Sequence, residues 1–157
     1  MARTIRPASA ADAGAVRALV RDAYALYAPR MDREPAPMLA DYEALIAQGA
    51  VSVFEAEGEI AGILVCYERG AHLHVENVAV ATNSQGRGIG RELMAFAERQ
   101  ALARGLASVE LYTNEVMGEN LEFYEALGYE VVERAEEEGY SRIFFRKVLQ
   151  APDQVMS

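Results

Sequence analysis

The sequence QGRGIG at residues 85–90 lies between a segment typical of a strand and a segment typical of a helix. Upstream, residues 73–80 are rich in apolar and β-branched side chains. Downstream, Ile89, Leu93 and Ala97 recur at helical spacing and form one apolar face. Three glycines leave the backbone N–H groups of this turn uncovered and free to adopt positive φ. Because the turn opens a helix, whose first N–H groups lack partners, it predicts a phosphate site.

Other glycine-rich phosphate motifs do not fit this spacing. A P-loop would end in Gly-Lys-Ser or Gly-Lys-Thr, whereas Gly90 is followed by Arg91 and Glu92. A dinucleotide fingerprint would need GxGxxG after the first strand, and here the third glycine comes one residue early and in mid-chain. A tight connection without any ligand is the alternative to an anion site.

Length and composition indicate one globular domain. The chain has 157 residues, of which 52% are hydrophobic and 25% charged. We expect a single domain over residues 1–150 and a frayed tail at 151–157. No segment resembles an export signal, and the longest apolar run, residues 60–67, is too short to span a bilayer. The one cysteine, Cys66, cannot form an internal disulfide, so we expect a cytoplasmic setting in which Cys66 is a packing residue.

The charge of the chain disfavours one class of partner. A net charge of -9 argues against nucleic acid and favours a cationic small molecule or a peptide amine. Part of the excess lies in three consecutive glutamates at residues 136–138, which we interpret as a solvated hairpin tip.

The pattern of periodic segments and breakers predicts an α/β fold with a mixed sheet. Its element order is β-α-α-β-β-β-α-β-α-β-β, with residues 57 and 58 as the turn of the first hairpin. Strands are predicted at residues 4–6, 51–56, 59–67, 73–80, 108–113, 129–135 and 140–147. Helices are predicted at residues 10–27, 39–48, 89–104 and 119–127.

The fourth strand contains a change of phase. Leu73 and Val75 place apolar side chains at odd positions, whereas Val78 and Val80 place them at even ones. Because side chains alternate strictly along a strand, one face stays apolar only if a residue is inserted near residues 76–77. We therefore predict a β-bulge that splays this strand from a neighbour. A strand buried on both faces is the alternative.

Two motifs together resemble one protein family. The turn has the spacing Gln-x-x-Gly-x-Gly, and residues 120–129 read NLEFYEALGY, which is similar to Asn-x-x-x-x-Tyr-x-x-x-Gly-Phe/Tyr. Both motifs, and their order in the chain, resemble the GNAT superfamily of N-acyltransferases. The resemblance covers residues 3–147. It implies a GNAT-like sheet with the splay at the fourth strand, and acetyl-CoA as co-substrate.

The resemblance also implies which residues bind acetyl-CoA. The backbone of the strand before the turn would pair with the pantetheine arm, and the turn would hold the pyrophosphate. Asn120 would contact the cofactor, although it could equally cap a helix. The implied residues are Val78, Ala79, Val80, Gln85, Gly86, Arg87, Gly88, Ile89, Gly90, Arg91 and Asn120.

Acyl transfer needs an oxyanion donor, an acid and a base. By analogy with the family, the N–H of Val78 would face the thioester carbonyl and Tyr124 would protonate the departing thiolate. A tyrosine that only packs in the core is the alternative for Tyr124. Glu76, at the expected bulge, is our candidate base, directly or through water. His72 and His74 could help to take a proton, but exposed strand histidines are more often bystanders.

The first helix and the proline-rich segment after it should line the acceptor side of this fold. The candidate substrate-binding residues are Tyr24, Tyr27, Arg30 and Met31. Tyrosine and arginine there could recognise an acidic or aromatic acceptor, whereas the net charge favours a cationic one. The expected acceptor is a primary amine of a small molecule or peptide, without a metal, and the resemblance allows a homodimer. A non-catalytic acyl-CoA-binding module and an unrelated nucleotide-binding domain are the alternatives to an N-acetyltransferase.

Overall fold

The computed structural model of the chain describes residues 3–25, 27, 29, 36–115, 117–137 and 139–149. Its elements follow the predicted order, except that the predicted second helix is two short helices. The strands are β1 Arg3–Pro7, β2 Val51–Ala56, β3 Glu59–Arg69, β4 His72–Val80, β5 Ser108–Asn114, β6 Glu130–Glu137 and β7 Tyr140–Val148. The helices are α1 Ala13–Tyr24, α2 Ala36–Leu39, α3 Tyr42–Ala47, α4 Ile89–Ala103 and α5 Gly118–Ala126, with 3-10 turns at Ala10–Asp12 and Thr82–Ser84.

The prediction of one continuous helix over residues 39–48 was wrong. Asp41 has an extended backbone, and its side chain accepts a hydrogen bond from the N–H of Ala44 at 3.1 Å. This cap satisfies a donor of the first helical turn and starts a new helix, which separates α3 from α2.

The seven strands form one mixed sheet in the order β1-β2-β3-β4-β5-β7-β6. The β1–β2, β2–β3, β5–β7 and β6–β7 pairs are antiparallel, whereas β4 and β5 are parallel. A parallel pair needs a crossover, and α4 supplies it. The predicted α/β fold is confirmed.

The predicted splay of β4 is visible in its pairing with β5. The two strands pair only from His72 to Val75 of β4, although β4 continues to Val80 and β5 to Asn114. Beyond Val75, no residue of β5 is a ladder partner for β4 in the described part of the chain.

The predicted bulge follows from the lengths of β3 and β4. The two strands are joined by residues 70 and 71 alone, and the N–H of Ala81 donates to the carbonyl of Ala61 at 2.9 Å. Nine positions separate His72 from Ala81, but only eight separate Ala61 from Arg69. β4 therefore carries one extra residue, which is the definition of a bulge.

The chain divides into two compact units, each with its own buried core. The first contains residues up to 66 together with residues 77–94. Apolar side chains of α1, β2, β3 and the start of α4 are buried in it. They include Val16, Leu19, Val20, Val53, Phe54, Ile63, Leu64, Leu93 and Met94.

The second unit contains residues 67–76 and the chain from residue 95 onward. Its core combines the rest of α4, α5 and the strands around β5. The buried residues include Leu73, Val75, Ala97, Ala101, Val109, Leu111, Tyr124, Tyr129 and Phe145. The single domain expected over residues 1–150 stays a prediction, and the expected tail at 151–157 lies outside the described residues.

No helix in the described ranges is both long and apolar enough to cross a membrane.

Candidate active site

The predicted site residues fall in both units, and each group is described within its own unit. In the first unit, the glycine-rich turn leads from the 3-10 turn after β4 into α4. Gly86 and Gly88 have φ of 85° and 78°, the left-handed region that favours glycine. The first helical bond runs from the N–H of Glu92 to the carbonyl of Gly88 at 3.0 Å. Among the described residues, none accepts a hydrogen bond from the backbone N–H groups of residues 86–91.

Side chains tie this turn to its surroundings. The Gln85 amide donates to the carbonyl of Val80 at 3.3 Å, at the end of β4. The hydroxyl of Thr82 donates to the carboxylate of Asp22 on α1 at 2.6 Å. Both hydrogen bonds fix the position of the residues that lead into the turn.

The charge of the turn is positive. Arg87 and Arg91 are exposed, and neither is ion-paired with a described residue. The nearby carboxylate of Glu92 is instead paired with Arg3 of β1 at 3.1 Å. Two uncompensated guanidinium groups and the N-terminus of α4 therefore attract anions together.

The first turn of α4 packs closely on β3. A Cβ at Gly62 would lie 3.0 Å from Cγ2 of Ile89 and 3.1 Å from Cδ1 of Leu93. A side chain at this position would require the side chains of Ile89 and Leu93 to move by a few tenths of an ångström. The glycine therefore fits the close contact between β3 and the first turn of α4.

The strand residues predicted to contact the cofactor come just before the turn. Ala79 is buried, whereas Val78 and Val80 are half-buried. All three lie beyond the last pair between β4 and β5. Residues 78–80, which are predicted to contact the cofactor, therefore lie outside the ladder between β4 and β5.

Tyr24, a candidate on the predicted acceptor side, is joined to Tyr42 of α3 through one asparagine. The hydroxyl of Tyr24 donates to Oδ1 of Asn77 at 2.7 Å, and Nδ2 of Asn77 donates to the hydroxyl of Tyr42 at 3.1 Å. The ring of Tyr27 lies 6.1 Å from that of Tyr24. Arg30 and Met31, the other two candidates, lie outside the described residues.

Tyr124, in the second unit, has a buried ring and a hydroxyl without a partner. Its ring packs against Phe123, Tyr129 and Phe145. The hydroxyl forms no hydrogen bond with a described residue. Burial raises the pKa of the Tyr124 phenol well above its ordinary range. Tyr124 therefore stays protonated.

Asn120 lies in the first turn of α5. Its amide donates to the hydroxyl of Thr113 on β5 at 3.3 Å and to the sulfur of Met117 at 3.7 Å. Met117 occupies the N-cap position, so the alternative of a capping asparagine was wrong. The side chain instead connects α5 to the end of β5.

Glu76 is surrounded by donors. The hydroxyl of Tyr67 donates to its Oε1 at 2.8 Å, and that of Tyr112 donates to Oε2 at 3.1 Å. Nε2 of His74 lies 3.3 Å from Oε1. The contact with His74, helped by the two phenols, lowers the pKa of Glu76 to about 2 against the effect of desolvation. Glu76 is thus held as a carboxylate.

The pKa values of the two phenols are raised, opposite to that of Glu76. Burial, with a further contribution from the hydrogen bond to Glu76, raises the pKa of Tyr67 to about 12. Burial and the charge of Glu76 likewise raise the pKa of Tyr112 to about 12. Both tyrosines therefore stay protonated and keep donating to the carboxylate.

The two histidines differ in their surroundings. His74 is 3% exposed, so the expectation of an exposed strand histidine was wrong for it. His72 is half-buried, and its Nε2 lies 3.1 Å from Oε1 of Glu110, a carboxylate that also pairs with Arg146. In the described residues, no group of three or more His, Cys, Asp or Glu side chains could hold a metal ion.

Comparison with known proteins identifies the family. The model of the Acetyltransferase (GNAT) family matches residues 15–129. The chain belongs to the GNAT acetyltransferase family.

Solved acetyltransferase structures share the fold over nearly the whole chain. The PaiA N-acetyltransferase from Thermoplasma acidophilum in complex with coenzyme A has a TM-score of 0.81 at 13% identity, over 95% of this chain and 100% of that one. The ribosomal-protein-S18-alanine N-acetyltransferase from Escherichia coli has a TM-score of 0.75 at 15% identity, over 94% of both chains. An IAA acetyltransferase from Bacillus cereus ATCC 14579 has a TM-score of 0.69 at 20% identity, over 94% of this chain and 100% of that one. At such low identity these likenesses show the fold. Among curated proteins, no match to the sequence is found.

The sequence analysis did not identify three residues that form hydrogen bonds with the candidate site residues. Tyr67 and Tyr112 hold Glu76, and Asn77 joins Tyr24 to Tyr42. Aromatic residues in strands indicate packing, and a single asparagine next to a bulge has no pattern of its own. Tyr112 reaches Glu76 from β5, and Asn77 of β4 reaches Tyr24 on α1 and Tyr42 on α3, so these contacts depend on the packing of elements that are distant in sequence.

Proposed function

We propose that the protein is an N-acetyltransferase that moves the acetyl group of acetyl-CoA directly to a primary amine of a small molecule or peptide. The observation that carries this proposal is the glycine-rich turn together with the first residues of α4, where the N–H groups of residues 86–91 have no acceptor among the described residues. A diphosphate needs such a concave set of donors at a helix N-terminus.

The cofactor would be held mainly by the first unit. The N–H groups of residues 86–91 would bind the pyrophosphate, and Arg87 and Arg91 would add charge. Each oriented interaction of this kind contributes roughly 0.3–1 kcal/mol. The backbone of residues 78–80 would pair with the pantetheine amides, as an added strand pairs with a sheet edge. Gln85 would hold the turn against β4, and Asn120 would contact the cofactor from α5.

Tyr124 would act as the general acid. Its hydroxyl has no hydrogen-bond partner among the described residues, and its raised pKa keeps a proton ready for the thiolate of coenzyme A. The N–H of Val78 would stabilise the negative charge on the thioester oxygen, and such a donor contributes roughly 2.7–4 kcal/mol in acyl transfer.

Glu76 would accept the proton that the acceptor ammonium must lose before attack. The neutral amine then forms a C–N bond to the thioester carbon. As the C–S bond breaks, Tyr124 gives its proton to sulfur and regains one from the positively charged nitrogen. The products are the acetylated amine and coenzyme A thiol, and one proton remains for release to solvent.

Acceptor binding would involve Tyr24 and Tyr27, together with Arg30 and Met31. A net charge of -9 favours a cationic acceptor. Two solved relatives in fold carry N-acetyltransferase in their names, one of them in complex with coenzyme A, which supports the same class of reaction here. A cytoplasmic setting and a homodimer stay predictions.

A thiol-release assay tests the proposal. Purified protein is incubated with acetyl-CoA and a panel of alkyl, aromatic and peptide amines, and coenzyme A is detected with a thiol reagent. We expect release that depends on one class of amine, with the acetylated product seen by mass spectrometry. Binding of acetyl-CoA without release for any amine would support the alternative, a non-catalytic acyl-CoA-binding module.

A further inference from the structure

Asn77 of β4 is a buried polar residue whose side chain is hydrogen-bonded at both ends. It is 4% exposed. Its Oδ1 accepts from the hydroxyl of Tyr24 on α1, and its Nδ2 donates to the hydroxyl of Tyr42 on α3. The hydroxyl of Tyr42 in turn donates to the carbonyl of Pro37 in α2. All four residues belong to the first unit, so three of its helices hold one side chain of the strand.

The hydrogen bonds in this chain of groups run in one direction. The carbonyl of Pro37 can only accept, so the proton of Tyr42 points at it. The oxygen of Tyr42 therefore accepts from the NH₂ group of Asn77, which leaves Oδ1 of Asn77 for the proton of Tyr24. A reversed amide would set Oδ1 against a lone pair of Tyr42. The side chain of Asn77 is thus fixed in one orientation.

The peptide group after Asn77 carries the N–H of Val78, which faces the open edge of β4. Neighbouring residues of a strand direct their backbone groups to opposite edges. The N–H of Ala81 donates to β3, whereas the carbonyl of Val80 accepts from the side chain of Gln85. By this alternation the N–H of Val78 points away from β3, to the edge where the ladder with β5 has already ended. The conformation of Asn77 sets the direction of this N–H.

We propose that Asn77 is a positioning residue, which aims the N–H of Val78 at the thioester oxygen and uses Tyr24 and Tyr42 as its anchors. This inference rests on the proposed function, in which that N–H would stabilise the charge on the oxygen. A misplacement of about 1 Å at a reacting centre can cost roughly 10²-fold in rate, so a donor of this kind needs a fixed backbone. Because Tyr24 is also a candidate for acceptor binding, Asn77 joins the acceptor side to the oxyanion donor.

Tyr42→Phe tests the anchor without changing a group that the proposed mechanism uses. It removes the hydroxyl to which Asn77 donates. With an amine found by thiol release, we expect kcat to fall about 10-fold, while the KM for acetyl-CoA stays within twofold. Asn77→Ala removes both anchors and should lower kcat by about 10-fold or more. In the Asn77→Ala background, Tyr42→Phe should cause no further loss of kcat, because Tyr42 acts through Asn77.

Tyr129→Phe is the matched control. Tyr42 is 1% exposed and Tyr129 2%, and each variant removes a buried hydroxyl that donates a hydrogen bond. Both variants should unfold at lower urea concentration than wild type, but Tyr129→Phe should keep the wild-type kcat. A Tyr42→Phe protein that is less stable yet turns over like wild type would show that Asn77 only ties the helices to the sheet, and would overturn the inference.

A carbonyl resonance tests the same point without turnover. Acetyl-CoA labelled with ¹³C at the acetyl carbonyl is bound to each protein in the absence of an amine. A hydrogen bond from Val78 polarises this carbonyl, so its resonance in the wild type should lie downfield of that of free acetyl-CoA. The resonance should move back toward the free position in Tyr42→Phe and in Asn77→Ala, but not in Tyr129→Phe. An unshifted wild-type resonance, or the same shift in every variant, would overturn the inference.

The two measurements separate this inference from the proposed function. A wild type that binds acetyl-CoA but releases no thiol with any amine would count against the proposed function, and the carbonyl resonance would still decide the role of Asn77. A wild type that does not bind acetyl-CoA would overturn both. If Tyr42→Phe does not fold, the resonance in Asn77→Ala decides the matter.

Discussion

At the residue scale, phenylalanine substitutions at two buried tyrosines of the second unit should have different effects, one on turnover and the other on stability. The hydroxyl of Tyr124 has no hydrogen-bond partner in the part of the chain that the structure describes, whereas that of Tyr129 donates to Glu98 at 3.0 Å. Tyr124→Phe should lower kcat by roughly 10²–10⁴-fold, the usual contribution of a general acid. Tyr129→Phe should lower the unfolding free energy by about 1.5–3 kcal/mol, because a hydrogen bond to a charged group is lost, and leave kcat unchanged.

Steady-state kinetics and urea unfolding measure both effects. Acetyl-CoA affinity, measured by calorimetry, should stay unchanged in Tyr124→Phe. Full turnover in Tyr124→Phe would remove this residue from the acid role and favour its interpretation as a core tyrosine.

The environment of Glu76 predicts how stability depends on pH. Its pKa is lowered from 4.5 to about 2 in the folded protein. The stabilisation is therefore fully present above pH 4.5 and is lost as the pH falls toward 2. Urea unfolding between pH 2.5 and 6 should show a steeper decline for wild type than for Glu76→Gln. Parallel curves for the two proteins would mean that the donors around Glu76 do not stabilise its charge.

At the element scale, alanine substitutions at two glycines with similar backbone conformations should differ in their effect on acetyl-CoA binding. Gly88 before α4 and Gly49 after α3 have φ of 78° and 77°, and nothing lies within 4 Å of a Cβ at either position. An alanine should cost about 1–2 kcal/mol of stability at both, because left-handed backbone is strained for a side chain. Only Gly88→Ala should also weaken acetyl-CoA binding, by about 10-fold, or roughly 1.4 kcal/mol.

Calorimetric titration with acetyl-CoA decides between these outcomes. Equal affinities in Gly88→Ala and Gly49→Ala would mean that the turn is a tight connection without a ligand. A selective loss in Gly88→Ala would assign the N–H groups of the turn to the cofactor.

At the scale of the whole molecule, binding of the cofactor should raise the stability of the folded protein. A ligand that binds only the folded chain at 100 times its Kd adds about 2.7 kcal/mol. For a chain of this size that corresponds to a rise in Tm of roughly 5–10 °C. Acetyl-CoA and coenzyme A should produce this shift, while ATP and NAD at the same concentration should not. A shift with NAD or ATP alone would favour an unrelated nucleotide-binding domain.

The features that the sequence alone determined are local ones. The turn at residues 85–90, the segment at residues 120–129 and the first hairpin follow from neighbours along the chain. In the hairpin, for example, Glu57 and Gly58 adopt φ of 55° and 82°, as such a turn requires. The phase change in β4 likewise predicted its bulge, because alternation along a strand is itself a local rule.

The tertiary structure alone decided the surroundings of the candidate base. Glu76 receives its donors from β3, β4 and β5, and Asn77 joins α1 to α3. The burial of His74 was likewise hidden, because a histidine in an alternating strand is compatible with either face. The contacts of Tyr112 with Glu76, and of Asn77 with Tyr24 and Tyr42, join residues 35 to 53 positions apart. Local periodicity cannot predict such pairs, because it depends only on residues a few positions apart.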